Sequence, residues 1–270
     1  MNKIKYFFQF IIIMFMFFIF KLMGLKYSSY FSGIISSFVG PFFRSSKICH
    51  SNISKAFPEL NKKERNKILK KMWFNYGRIL AEYMYIKDFR TNDDFSKKIV
   101  VENQDILEKI RKDSKPVIFV SGHFNNFELM AMHIEKSGIE LAAIYRPLNN
   151  KYLNPIMENI RKKYICKNQI KKGINGVREA IKYIKEDHSI ALMIDQRVSE
   201  GEKISFFGKP ALTTTLPAQL SAKFNIDIIP VFIQRKEDNK FEIEFKKSIN
   251  TKNYMNKQEL SEELNRVLEK

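Results

Sequence analysis

Cysteine is scarce in this 270-residue chain: Cys49 and Cys166 are the only two. That excludes a disulfide framework and fits a reducing compartment. The four histidines, His50, His123, His133 and His188, show no zinc-type spacing with the cysteines or with each other, so no metal site is expected. There is no internal repeat and no low-complexity linker. No small-residue cleavage pattern follows the apolar N-terminus, which argues for an uncleaved anchor over a removed signal peptide. Acidic residues are also in short supply. Asp and Glu number 29 against 47 Lys and Arg, a formal charge of +18. The lysines are spread along the whole length, and such a surface attracts the phosphates of nucleic acid or anionic lipid, or an acidic carrier protein. Richness in Lys, Ile and Asn is also what coding bias produces, so charge alone selects none of these. No nucleic-acid motif accompanies the dispersed cations, and a basic, membrane-tethered nucleic-acid binder is the most distant reading.

What is abundant is apolar. The hydrophobic share of 44% is ample for one large domain, or one domain plus an appendage. Tyr6 to Phe20 is apolar except for Gln9. Extended to Leu25 with Lys21 snorkelling, this helix reaches about 30 Å, enough to span a bilayer; stopping at Phe20 gives about 22 Å, which suits an interfacial helix. Lys21, Lys26, Arg44 and Lys47 follow it and favour a cytoplasmic body, while Lys3 and Lys5 pull the other way. A weaker apolar stretch from Tyr27 to Phe43 suits the headgroup region. Residues 1–25 are expected to form an anchor, 26–96 a helical membrane-proximal region, and 97–270 an α/β core.

Within residues 61–87, Ile68, Leu69, Met72, Trp73, Tyr76, Ile79, Leu80 and Tyr83 recur at helical spacing, a core stripe. From about Lys97 short apolar runs alternate with helical patterns, the signature of an α/β fold with a mostly parallel central sheet flanked by helices. The expected strands are Ile99–Glu102, Val117–Ser121, Leu141–Arg146, Ile190–Asp195, Ile228–Gln234 and Phe241–Phe245. Helices are expected over Gln104–Lys112, Asn126–Ser137, Lys151–Tyr164, Asn175–Glu186, Leu216–Phe224 and Lys257–Leu268.

His123 and Glu128 carry the chemistry. The apolar run ending at Ser121 is broken by Gly122, and Asn125-Asn126 offers an N-cap for a helix that stops at Gly138. His123 therefore falls in a strand-to-helix turn at the carboxyl end of a strand, where open α/β sheets place their sites. Glu128, in the first helical turn, is expected to fold back onto the imidazole, fix its tautomer and leave the other nitrogen free to take a proton from a hydroxyl. For this pair alone, a surface His beside a helix-N-terminal Glu is an equal reading. Arg146, Asp195 and Gln196 also lie at strand ends. Arg146 suits a phosphate or a developing oxyanion, or else a salt bridge to Asp195. Lys172-Gly173-Ile-Asn-Gly176-Val-Arg178 places cations and glycines at a helix start, an anion-site pattern. Ser205 to Thr213 reads as a Gly/Pro loop with exposed aromatics, a lid or a packed turn.

Five ordered stretches resemble one family. They are Asn52-Ile-Ser-Lys-Ala-Phe-Pro-Glu-Leu60, Gly122-His-Phe-Asn-Asn-Phe-Glu128, Tyr145-Arg-Pro147, Asp195-Gln196 and Phe206-Phe-Gly-Lys-Pro-Ala211. In order and spacing the chain is similar to the late lauroyl/myristoyl lipid A biosynthesis acyltransferases, within the wider HX4D/E acyltransferases. Two departures stand out. The family's helix usually begins Gly-Asn-Trp-Glu where this chain has Asn125-Asn-Phe-Glu128. Members also continue past the position of Lys270 with a segment rich in Trp, His and Arg, so a shortened member or fragment is expected. The resemblance implies a glycerolipid acyltransferase-like fold behind N-terminal anchor and interfacial helices, at the bacterial inner membrane. It implies acyl transfer from acyl carrier protein to a hydroxyl of a lipid A precursor, with no cofactor beyond that acyl carrier cosubstrate. His123 is then the base and Glu128 its carboxylate. Arg146 and Arg178 bind substrate or oxyanion, and Asn126, Asp195 and Gln196 support them. Another glycolipid or phospholipid acceptor is the alternative.

Overall fold

The computed structural model describes residues 2–42 and 45–270. Met1, Phe43, which ends the weaker apolar stretch, and Arg44, one of the orienting cations, lie outside the described residues. The chain divides into two compact units, Met1–Ile86 with Phe206–Lys209 and Lys87–Ser205 with Pro210–Lys270.

The first unit is helical: α1 (Asn2–Val39), α2 (Ser46–Ala56) and α3 (Lys62–Glu82). Gly24 interrupts α1 at φ 76°, ψ 161°, a conformation that glycine alone adopts at no steric cost. Residues 2–23 thus form a separate rod of about 33 Å. Among the described residues, α1 carries the one stretch long and apolar enough to cross a membrane. Phe17 and Phe20 of this rod are buried against Ala81, beside Leu80 and Met84. Beyond Gly24 the usual pattern is inverted. Ser28, Ser29 and Ser32 are buried while Tyr27, Tyr30, Phe31 and Phe38 are exposed. The inward serines meet α3: Ser29 donates to the fully buried Glu82 at 2.8 Å and Ser32 to the Gly77 carbonyl at 2.7 Å. A Cβ on Gly77 would lie 2.2 Å from the Ser32 carbonyl oxygen, so this close approach requires glycine. Small and polar residues inside with aromatics outside is how helices pack in lipid.

The second unit begins with α4 (Ile86–Thr91) and α5 (Asp93–Ser96) and continues β1 (Ile99–Glu102), α6 (Asp105–Asp113), β2 (Ile118–Ser121), α7 (Glu128–Lys136), β3 (Leu141–Tyr145), α8 (Asn154–Tyr164), β4 (Asn168–Lys171), α9 (Ile174–Lys185) and β5 (Ser189–Met193). A hairpin, β6 (Glu202–Phe206) and β7 (Lys209–Thr213), whose tip Phe206–Lys209 belongs to the first unit, precedes α10 (Leu216–Phe224), β8 (Ile228–Arg235), β9 (Phe241–Phe245) and α11 (Lys257–Glu269). Seven strands form a sheet in the order β1-β9-β8-β2-β5-β3-β4. Only the β8–β9 pair is antiparallel. The mostly parallel sheet flanked by helices is the expected class, and buried residues fill the central strands on both faces, as Ile118, Phe119, Val120, Ile190, Ile228 and Ile229 show.

The six expected strands form, and β4 joins them. It carries a single buried aliphatic residue, Ile170, in Asn168–Lys171, too little to mark a strand in the sequence. The expected loop at Ser205–Thr213 is instead a two-stranded hairpin. Its turn residues Phe207 and Gly208 both have positive φ, 49° and 65°, as a two-residue turn matching the strand twist requires.

Candidate active site

Register decides which side chains meet. In the β2–β5 pair Ser121 lies opposite Met193, and the Ile194 N–H continues the ladder to the Ser121 carbonyl at 2.9 Å. Two residues further along both strands, His123 and Asp195 are therefore side by side. The His123 Nδ1 lies 2.7 Å from Asp195 Oδ1, and the His123 backbone N–H donates to Asp195 Oδ2 at 2.9 Å. Burial alone would raise the Asp195 carboxyl, but the bonds and charge of His123 outweigh it and hold the group below the ordinary carboxylate range. An ionised carboxylate only accepts, so Nδ1 carries the proton and Nε2 presents its lone pair. Gln196 Nε2 sits 3.3 Å from that nitrogen. The Phe127 ring meets the imidazole edge-on, with centroids 4.8 Å apart.

Glu128 is not the partner of His123, contrary to expectation. Arg161 of α8 donates to Glu128 Oε1 through Nε at 2.9 Å and Nη2 at 2.6 Å, with both side chains largely buried. The reason is local. The helix starts at Glu128 rather than Asn126, because Asn125 takes a left-handed φ of 41° and turns its side chain to the Ile233 carbonyl and Arg235. Phe127, not Asn125 or Asn126, therefore holds the N-cap position. Asn126 is fully buried in the turn. Tyr145, at the end of β3, fixes α8 by donating to Glu158 at 2.5 Å, and the Arg161 guanidinium lies 5.4 Å from the Tyr145 ring centroid.

A cavity of ≈ 220 Å³ opens here. His123, Glu128, Arg146, Arg161 and Lys172 are among its lining residues, together with apolar groups that include Phe127, Ile165, Leu192 and Leu216. Arg146 makes no ion pair among the described residues, and the alternative salt bridge to Asp195 does not form because His123 occupies that carboxylate. Arg178 does not line the cavity. It is exposed one turn into α9, and Lys172, in register beside Arg146 through the bond from its N–H to the Tyr145 carbonyl, takes the place expected of it. The sequence reading missed Arg161, which sits in an Arg161-Lys162-Lys163 run resembling a solvated face. An Arg in a Lys-rich chain was the available signal, since only a planar fork pairs with a carboxylate twice.

A profile of bacterial lipid A biosynthesis acyltransferases matches residues 1–270. The chain belongs to this family. A relative in Shigella flexneri, lipid A biosynthesis acyltransferase 2, is 24% identical over 194 residues, covering 68% of this chain and 60% of that protein. The lipid A biosynthesis myristoyltransferase of Escherichia coli is 20% identical over 183 residues, 67% of this chain and 56% of that one. The matches thus span less than two thirds of these curated family members' length. Among solved structures, the 1-acyl-sn-glycerophosphate acyltransferase of Thermotoga maritima aligns over 91% of this chain and 95% of its own, at 16% identity and a TM-score of 0.42.

Proposed function

We propose that this chain transfers a fatty acyl group from acyl carrier protein to a hydroxyl of a lipid A precursor, at the cytoplasmic face of a bacterial inner membrane. One observation carries the chemistry: an imidazole whose Nδ1 is tied to Asp195 at 2.7 Å and whose Nε2 lone pair, faced only by the exposed Gln196 amide, is open to a hydroxyl proton once that amide moves aside, on the wall of a partly apolar cavity. His123 removes that proton as the acceptor oxygen attacks the thioester carbonyl. Asp195 stabilises the imidazolium that forms, and the proton then goes to the leaving thiolate. The thioester is already activated, so neither an enzyme nucleophile nor a further cofactor is needed. Glu128, paired with Arg161, shapes the cavity wall beside the base. Arg146 and Lys172, both without an ion-pair partner among the described residues, suit a phosphate of the acceptor or of the carrier's prosthetic arm. Family membership supports the acceptor class. The N-terminal apolar rod, the outward aromatics beyond Gly24 and the +18 charge support an anionic membrane surface and an acidic carrier as partners.

The test is mass spectrometry of lipid A from cells with and without the gene, joined to transfer assays with acyl carrier protein or coenzyme A thioesters as donors. Loss of one acyl chain from lipid A is the expected result. Unchanged lipid A, with transfer to a glycerophospholipid in vitro, would move the assignment to another acceptor.

A further inference from the structure

We infer that the Gln196 carboxamide is the oxyanion donor of this site, resting on the acyl-transfer reading above. Asp195 and Gln196 are consecutive residues beyond β5, and they approach the same ring from its two nitrogens: Asp195 at Nδ1, 2.7 Å, and Gln196 at Nε2, 3.3 Å. Because Nδ1 carries its proton toward a carboxylate, Nε2 is an acceptor, and only the amide NH2 group of Gln196, not its oxygen, can face it. Among the described residues the side chain of Gln196 has no other hydrogen bond, and the residue is exposed. Its one partner is the lone pair that the reaction uses.

That lone pair must receive the acceptor hydroxyl, so the Gln196 N–H is displaced when substrate binds. A hydroxyl oxygen seated on Nε2 brings the attacked carbonyl carbon within about 3–3.5 Å of itself. The carbonyl oxygen then lies within reach of an amide turned aside by a side-chain rotation. The C–O bond forms, the C=O electron pair moves to oxygen, and the proton passes to Nε2. The Gln196 N–H meets the negative charge at that moment. Collapse of this tetrahedral species restores the carbonyl and expels the thiolate, which takes the proton from Nε2.

Several other donors around His123 are engaged. The His123 backbone N–H is held by Asp195, and that of Phe124 by the Gly122 carbonyl at 2.8 Å. The Asn125 amide donates to the Ile233 carbonyl, and Arg161 is bound to Glu128. These bonds hold the donors beside the ring within the folded turn, whereas the Gln196 amide faces only the nitrogen that the substrate must occupy.

The test uses the full chain in membranes or detergent, with an acyl carrier protein thioester and a lipid A precursor, comparing wild type with Gln196→Ala and Gln196→Glu. Both variants remove the donor at an exposed position. Expected is a fall in kcat of about 10²–10³-fold with KM nearly unchanged, persisting at the high-pH plateau. In Gln196→Ala, which adds no charge, the acid limb of kcat/KM, which reports the free enzyme, should move to higher pH, because a donor that favours the neutral ring is gone. The acid limb of kcat, which reports the complex where the amide has left the ring, should stay in place. A plateau kcat within about threefold of wild type in either variant overturns the inference. So does an equal shift of both limbs in Gln196→Ala with full recovery at the plateau, which assigns Gln196 to tuning the ring alone. A wild-type chain that transfers no acyl group to any acceptor overturns the acyl-transfer reading itself, and this inference with it.

Discussion

His123 depends on Asp195 for both its orientation and its tautomer, because the carboxylate takes the ring Nδ1 and the backbone N–H together. Asp195→Asn should keep the geometry yet allow the wrong tautomer, lowering kcat about 10³–10⁴-fold in the transfer assay while the variant still binds substrate. His123→Ala should cost more still, since the carboxylate acts only through the base it orients, and no base then remains. The same pair sets a pH dependence of stability. The Asp195 carboxyl is held low when folded, so its contribution is complete above its unfolded value of about 3.9 and is lost as pH falls through the folded one. Denaturant melts should therefore show a stability gap between wild type and Asp195→Asn at pH 7 that narrows below about pH 4. Glu128 and Arg161 behave differently. Arg161→Met leaves Glu128 buried without its cation and should cost about 3–5 kcal/mol of unfolding free energy, whereas a double replacement by Glu128→Gln and Arg161→Met should recover much of it. Equal melting of the single and double variants would show that the pair is not coupled.

At the scale of elements, strands were legible wherever apolar runs were continuous, and they ended within a residue or two of the expected positions. The carboxyl-edge location of His123, Arg146, Asp195 and Gln196 followed from those runs. Which carboxylate meets the imidazole did not. That choice rests on the alignment of Ser121 with Met193, a pairing between segments distant in sequence that no local pattern encodes. Glu128 looked closer because it is five residues away, but the left-handed Asn125 delays the helix and Arg161 captures the carboxylate. The hairpin at residues 202–213 was hidden by Gly208 and Pro210, which read as a loop. In the helical unit, Gly77→Leu should break the close approach to Ser32 by steric overlap. The expected sign is faster proteolysis in α1 and α3, with the sheet's amide exchange unaltered. Uniform protection across both helices in the variant would refute it.

The molecule as a whole joins an apolar rod, a basic helical unit with aromatics outward and an α/β unit. Exposed Ile4, Phe7, Phe8, Ile11 and Ile12 crowd the first turns of the rod, while Phe17 and Phe20 pack on Ala81. Removing residues 2–12 should therefore weaken membrane attachment while leaving the helical unit folded, and removing residues 2–23 should also uncover its core. Flotation with anionic vesicles in low and high salt separates the apolar from the electrostatic part, because only the latter fades with screening. A 2–12 deletion that floats like wild type in high salt would place the anchor elsewhere.

The sheet order has a consequence for how the chain is made. β1 leaves the ribosome early, yet its neighbour is β9, and the Asn103 side chain waits for the Phe245 carbonyl across 142 residues of sequence. At 5–20 residues per second that interval is about 7–28 s. Throughout it β1 has no neighbour, and for most of it β2 lacks β8 on one side, so both offer unpaired backbone edges beside a growing apolar surface. Such far-apart pairings are slow to close even in a finished chain. Translation stalled before Phe245 should thus yield protease-sensitive nascent chains that engage chaperones, and protection should arrive in one step once β9 has emerged.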